Sequence, residues 1–75
     1  MKINWAELRK QVLKAIWEYN KSNETSFWLK QFFKHFEVHQ GWLYDVAKTG
    51  KIWSSYRAKL ELMGIDVSAA LITDD

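Results

Sequence analysis

His35, Glu37 and His39, in the run HFEVH, are the residues of this chain whose types most directly suggest metal chemistry. Two imidazoles at i and i+4 meet on one helix face and can share a zinc ion, with a nearby carboxylate as ligand or base. The order is not HExxH, however, and a turn predicted between Phe36 and His39 would separate the two rings. No metal site is expected. The chain has no cysteine, no recognisable serine–histidine–acid arrangement and no glycine-rich phosphate loop, so neither catalysis nor a cofactor is expected.

The residues that follow carry a different chemistry. Gln40 presents an amide, which can pair bidentately with the edge of adenine; the plainer reading is a solvated residue at a helix start. Gly41 permits close approach of a backbone, or is merely tolerated slack. Tyr44 and Lys48 stand one helical turn apart, with Lys51 just beyond, and suit contacts to a base methyl or to phosphates. His39 opens the same stretch. Asp45 works against phosphate unless it is paired.

The elements that must position these groups follow from apolar spacing. Phe32, Phe33, Phe36, Val38, Leu43 and Val46 alternate with polar or small residues in a way that predicts two short helices, 26–36 and 39–49. A tight turn joins them and Gly50 stops the second. This is a helix-turn-helix, in which the first helix buries its face and the outer side of the second is free to enter a DNA major groove.

Before it, Asn4 is a good N-cap, with Glu7 placed for a capping box. Trp5, Leu8, Val12, Ala15, Ile16 and Tyr19 mark a buried face, which Leu13 and Trp17 widen. Residues 20–25 form a polar loop. After the motif, 51–54 connects to a helix over 55–63 that Gly64 ends, and Asp66 or Ser68 caps a last short turn through Leu71. Trp42 and Trp53 read as core filler or as protein-contact anchors.

At 75 residues the chain is expected to be one domain, 1–75, near the lower limit for a self-supporting core. Five tryptophans, four phenylalanines and three tyrosines make up 16% of it, so an aromatic core is the route to stability. No apolar run approaches the roughly 20 residues of a membrane span, and the first residues lack a secretory apolar stretch. A cytoplasmic protein with no membrane partner is expected. Net charge is +2, but all 11 Lys and Arg fall within residues 1–61, against six acids. A basic body with an acidic end, expected to fray over 72–75, permits phosphate binding.

The stretch VHQGWLYDVAKTGK, followed by a helix ending LELMGIDV, resembles the phage Cro/CI repressor-like (XRE-type) helix-turn-helix family. That family commonly shows V-S-Q-x-x-[IL]-S-x-[IVW]-E-x-G-K and then a helix ending near L-G-[VI]. Val38, Gln40, Leu43, Val46, Gly50, Lys51, Met63, Gly64 and Ile65 match in type and order. The likeness spans about Ser26 to Leu71, with Asn4–Tyr19 as the first helix. Phe33 stands where the family has alanine, Glu37 where the turn has glycine, and the link after Gly50 is shorter.

The resemblance implies an all-α, lambda-repressor-like domain of four to five helices. It implies a phage- or mobile-element-related transcriptional regulator, a repressor by type, binding double-stranded DNA as a homodimer. His39, Gln40, Gly41, Tyr44, Lys48 and Lys51 would be its DNA contacts. The alternative is a protein-binding adaptor or inhibitor on the same scaffold, whose exposed aromatics meet a protein partner. Asp45, Glu37, the near-neutral charge and the surplus of tryptophan favour it. Single-stranded nucleic-acid binding through stacked aromatics is a weaker third reading.

Overall fold

The longest element, α1 (Trp5–Asn23), begins where the sequence predicts, because Asn4 has an extended backbone and its Oδ1 accepts the Glu7 N–H at 3.2 Å. The reciprocal half of a capping box is absent. The Asn4 N–H instead donates to the Ala70 carbonyl at 2.8 Å, and the Glu7 carboxylate lies 3.8 Å from Lys10. In this computed structural model, which describes residues 1–72, the chain is all-helical: α1, α2 (Leu29–His35), α3 (Trp42–Thr49), α4 (Ser54–Leu62) and a single 3-10 turn (Val67–Ala70). Residues 73–75 of the expected acidic end lie outside the described residues.

Leu8, Val12, Ala15 and Ile16 bury one face of α1, but Leu13 and Trp17 do not widen it. They are 48% and 62% exposed. Only an arc of α1 is covered, and the short α2 leaves this side open. The helix also runs past Tyr19, through the predicted loop, to Asn23. It stops at Glu24, which takes a left-handed conformation (φ 54°) so that its N–H reaches the Asn20 carbonyl.

Helix α2 starts three residues later than the apolar pattern suggests. Trp28 is extended and precedes the helix, its N–H donating to Gln31 Oε1 at 2.9 Å, while its carbonyl accepts from Phe32. Phe32 and Phe33 are fully buried, and Phe36 is half-buried. The helix ends in a Schellman motif: the Val38 N–H bonds the Phe33 carbonyl and the Glu37 N–H the Lys34 carbonyl, both at 3.0 Å. Glu37 adopts φ 56°, the left-handed value its place in the motif demands.

The expected start of the next helix at His39 is also displaced, to Trp42. His39 Nδ1 accepts the Gly41 N–H at 3.0 Å, a local bond that holds 39–41 in a turn rather than a helix. The link after Gly50 is short because it is extended and clipped to the amino terminus. Ile3 N–H donates to Gly50 O and Ile52 N–H to Met1 O, each at 2.8 Å, while Ile3 on the other edge of the amino-terminal segment meets Leu71 in an isolated bridge. Ile3 and Ile52 are buried by this arrangement. Nothing in the sequence pattern announced a role for Met1–Ile3. Helix α4 ends as α2 does, with Gly64 left-handed and the Ile65 N–H bonding the Leu60 carbonyl at 3.1 Å. Asp66 then caps the final turn through the Ala69 N–H.

Candidate nucleic-acid interface

The six predicted contact residues fall into two groups. Tyr44 and Lys48 project from α3 to solvent, one turn apart, with Tyr44 69% exposed. Leu43 and Val46 on the opposite side are buried and anchor the helix. Lys51 is exposed in the extended link beyond Gly50, where its backbone pairs with Lys2. Asp45 is exposed between Tyr44 and Lys48 and forms no ion pair among the described residues. The outward side of α3 is therefore mixed in charge.

His39, Gln40 and Gly41 are not on α3 at all; they form the turn that leads into it. The His39 ring stacks on Trp42 at 5.3 Å between centroids and 12° between planes. Gly41 is small for an internal reason, since a Cβ there would lie 2.7 Å from His39 Cε1. The space that a ligand backbone could have used is filled by this imidazole. Gln40 is half-buried, and its carbonyl accepts the Leu43 N–H at 2.9 Å. Lys30, Lys34, Glu37, His39 and Gln40 surround a shallow depression between α2 and the turn, again with both signs of charge.

Behind α3 the turn is pinned by aromatic packing. Trp42 meets Trp53 and Tyr56 edge-on at 5.5 and 5.3 Å, and the Lys59 ammonium sits 4.9 Å from its ring centroid. The fully buried Tyr56 donates its hydroxyl to the His39 carbonyl at 3.2 Å, and burial pushes the phenol well above its ordinary pKa. Trp42 is thus part of the support for the turn, while Trp53 remains 41% exposed.

The two histidines of HFEVH are engaged separately: His35 Nε2 lies 2.9 Å from the Tyr19 hydroxyl, and His39 serves Gly41 and Trp42. Among the described residues no group of three or more His, Cys, Asp or Glu is placed to hold a metal ion, and no helix is long and apolar enough to cross a membrane.

The sequence pattern missed a second surface. Trp17 and Trp28, 62% and 76% exposed, flank an apolar groove of about 360 Å³ whose other walls include Leu13, Ile16, Asn20 and Phe27. The helix expected over 26–36 would have included Trp28, which instead precedes α2; the polar run Asn23–Ser26 before it was the signal that the chain there is still outside the helix. No family model, curated protein or solved structure compared with this chain matches it.

Proposed function

We propose that this chain is a small sequence-specific DNA-binding regulator whose α3 enters the major groove. The observation that carries the reading is the outward pair Tyr44 and Lys48 on a helix whose approach is fixed by the left-handed turn at Glu37. At eight residues α3 is about 12 Å long, comparable to the width of that groove. Lys30, Lys34, Lys48 and Lys51 outnumber Glu37 and Asp45 across the motif and its flank, which suits phosphate positioning. Gln40, displaced into the turn, reaches a base edge from the helix start. So small a contact set calls for a homodimer on paired half-sites, acting in the cytoplasm, with repression by operator occupancy in the manner of the phage regulators it resembles.

A salt-dependent titration against random and selected duplexes tests this. Lys48→Ala should weaken binding to every duplex and flatten the salt slope by about one ion. Gln40→Ala should cost roughly 1–3 kcal/mol at one base position and relax preference there. Failure of the parent to bind any duplex at low salt overturns the reading.

A second reading, a protein-binding adaptor or inhibitor, is favoured by one observation. The two most exposed tryptophans, Trp17 and Trp28, lie on either side of a groove outside the helix-turn-helix face, and tryptophan is enriched among interface hot spots.

A further inference from the structure

From the groove between α1 and residues 26–29, we infer a docking site for an amphipathic helix of another protein, with an apolar ridge flanked by Asp and Glu. The inference rests on the protein-binding reading and supplies the partner's chemistry.

The groove is shaped in advance. Asn20 holds the Phe27 backbone through both its amide nitrogen and its Oδ1, fixing the wall that leads to Trp28. The Lys21 ammonium lies 5.0 Å from the centroid of the Trp17 ring, which restrains the opposite wall. A cleft of about 360 Å³ sits at the small end of ligand pockets, enough for one or two large side chains but shallow for a cofactor. It carries no charged group in its lining.

The backbone decides the form of the occupant. A partner strand would need free N–H and C=O groups along the extended segment. Both groups of Phe27 are taken by Asn20, the Trp28 N–H by Gln31, and the Trp28 carbonyl by Phe32. Strand addition is blocked there, so the groove can take only side chains, and an amphipathic helix is the occupant that presents an apolar ridge between charged flanks.

The charges decide its sign. Lys10, Leu13, Lys14, Trp17 and Lys21 recur at steps of three and four, so the lysines share one side of α1 with Leu13 and Trp17, the exposed apolar residues that α1 gives to the groove. Lys14 and Lys21 form no ion pair among the described residues, and Lys10, 80% exposed, meets only Glu7 at 3.8 Å. Of the nearby acids, Glu18 lies about 100° round the helix from Trp17 but within one turn of both Lys14 and Lys21, so this side of α1 sets three lysines against Glu7 and Glu18 and stays basic, and Glu24 is past the helix end. A second copy of this chain would set the same lysines against one another. A lipid bilayer favours a convex apolar surface, whereas Trp17 and Trp28 wall a concave one.

The test uses the full chain and two synthetic helical peptides that share Leu and Phe at i and i+4, one flanked by Glu and the other by Lys. Binding is followed by backbone amide chemical shifts. The Glu-flanked peptide should bind and perturb Leu13, Trp17, Phe27 and Trp28. Trp28→Ala should weaken it by at least about tenfold, the loss expected for an interface tryptophan. The double variant Lys14→Glu, Lys21→Glu should exchange the preference, binding the Lys-flanked peptide better; as these side chains are exposed, the fold should survive. Trp28→Ala should leave duplex titrations unchanged.

Equal binding of both peptides, or tighter binding of the Lys-flanked one by the parent, overturns the acidic assignment while leaving the protein-binding reading in place. Binding of neither peptide overturns both. Trp28-dependent dimerisation by sedimentation, or transfer of the chain to phosphatidylserine vesicles in place of peptide binding, assigns the groove to those occupants and overturns the inference.

Discussion

Asn20 and Phe27 hold each other in both directions: the Asn20 amide nitrogen donates to the Phe27 carbonyl at 2.9 Å, and Asn20 Oδ1 accepts the Phe27 N–H at 3.0 Å. The same Oδ1 accepts the Thr25 hydroxyl at 2.7 Å. One side chain thus replaces, for the link between α1 and α2, the hydrogen bonds that regular structure would have supplied. Asn20→Ala should destabilise the protein by about 1–3 kcal/mol, because half-buried backbone groups lose their partners. It should also raise amide exchange at Phe27 and Trp28. Urea unfolding and hydrogen exchange read both effects, and a neutral variant would mean that water replaces the amide without penalty.

Glu37 offers the opposite case, a residue whose replacement should help. Its φ of 56° places a Cβ in the left-handed region, at a cost of roughly 1–2 kcal/mol relative to the right-handed one. Glycine escapes that penalty but orders a more flexible chain, which returns part of the gain. Glu37→Gly should therefore be neutral or more stable by up to about 1 kcal/mol in denaturant unfolding. A clear loss would show that the carboxylate contributes something beyond the turn.

Residues whose role is set locally were legible in the sequence. Asn4 caps α1, Gly50 and Gly64 end their helices, and Asp66, one of the two caps expected, caps the last turn, each because a few neighbouring backbone groups demand it, whereas only the family resemblance pointed to Glu37 as the turn residue. The all-helical architecture followed from the same local signals. What periodicity could not convey was coverage. Leu13 and Trp17 continue an apolar stripe, yet only a distant element could bury them, and α2 is too short to do so. The clip of Met1–Ile3 onto residues 50–52 is likewise a contact between the two ends of a 50-residue separation, with no local trace. At the candidate site, Tyr44 and Lys48 were read correctly as outward-facing. The helix start expected at His39 was displaced to Trp42, because a side chain folding back onto its own turn mimics the composition of a helix start.

Two phenylalanines of α2 should separate by burial. Phe33 is fully buried, with its ring edge-on to Phe32 at 6.2 Å, and Phe33→Ala should cost about 3–5 kcal/mol. Phe36 is half-buried at the helix end, where it touches Phe32 and Tyr19 edge-on at 5.1 and 5.6 Å. Apolar spacing alone does not distinguish it from Phe33; its partial exposure lowers the expectation for Phe36→Ala to about 1.5–3 kcal/mol. Equal losses in urea unfolding would show that Phe36 is more fully enclosed in solution than its accessibility indicates.

The Tyr56 hydroxyl ties α4 to the turn before α3 through the His39 carbonyl. Near neutral pH, Tyr56→Phe should cost about 1 kcal/mol, the net worth of one hydrogen bond. Alkali should reverse that ranking. The phenol ordinarily titrates near 10.0, and burial raises its value in the folded chain. In the unfolded chain it ionises freely above that point, so its deprotonation favours unfolding. Stability carried by the neutral phenol is therefore fully present below pH 10.0 and is lost as pH rises toward the folded value. Every other ionisable group is common to the parent and the variant. The difference between the two isolates Tyr56. In urea unfolding the parent's advantage should hold to about pH 9, shrink through 10 and invert by about 11. A difference that stays constant across that range would place the Tyr56 hydroxyl in contact with water and release the turn from the tie assigned to it here.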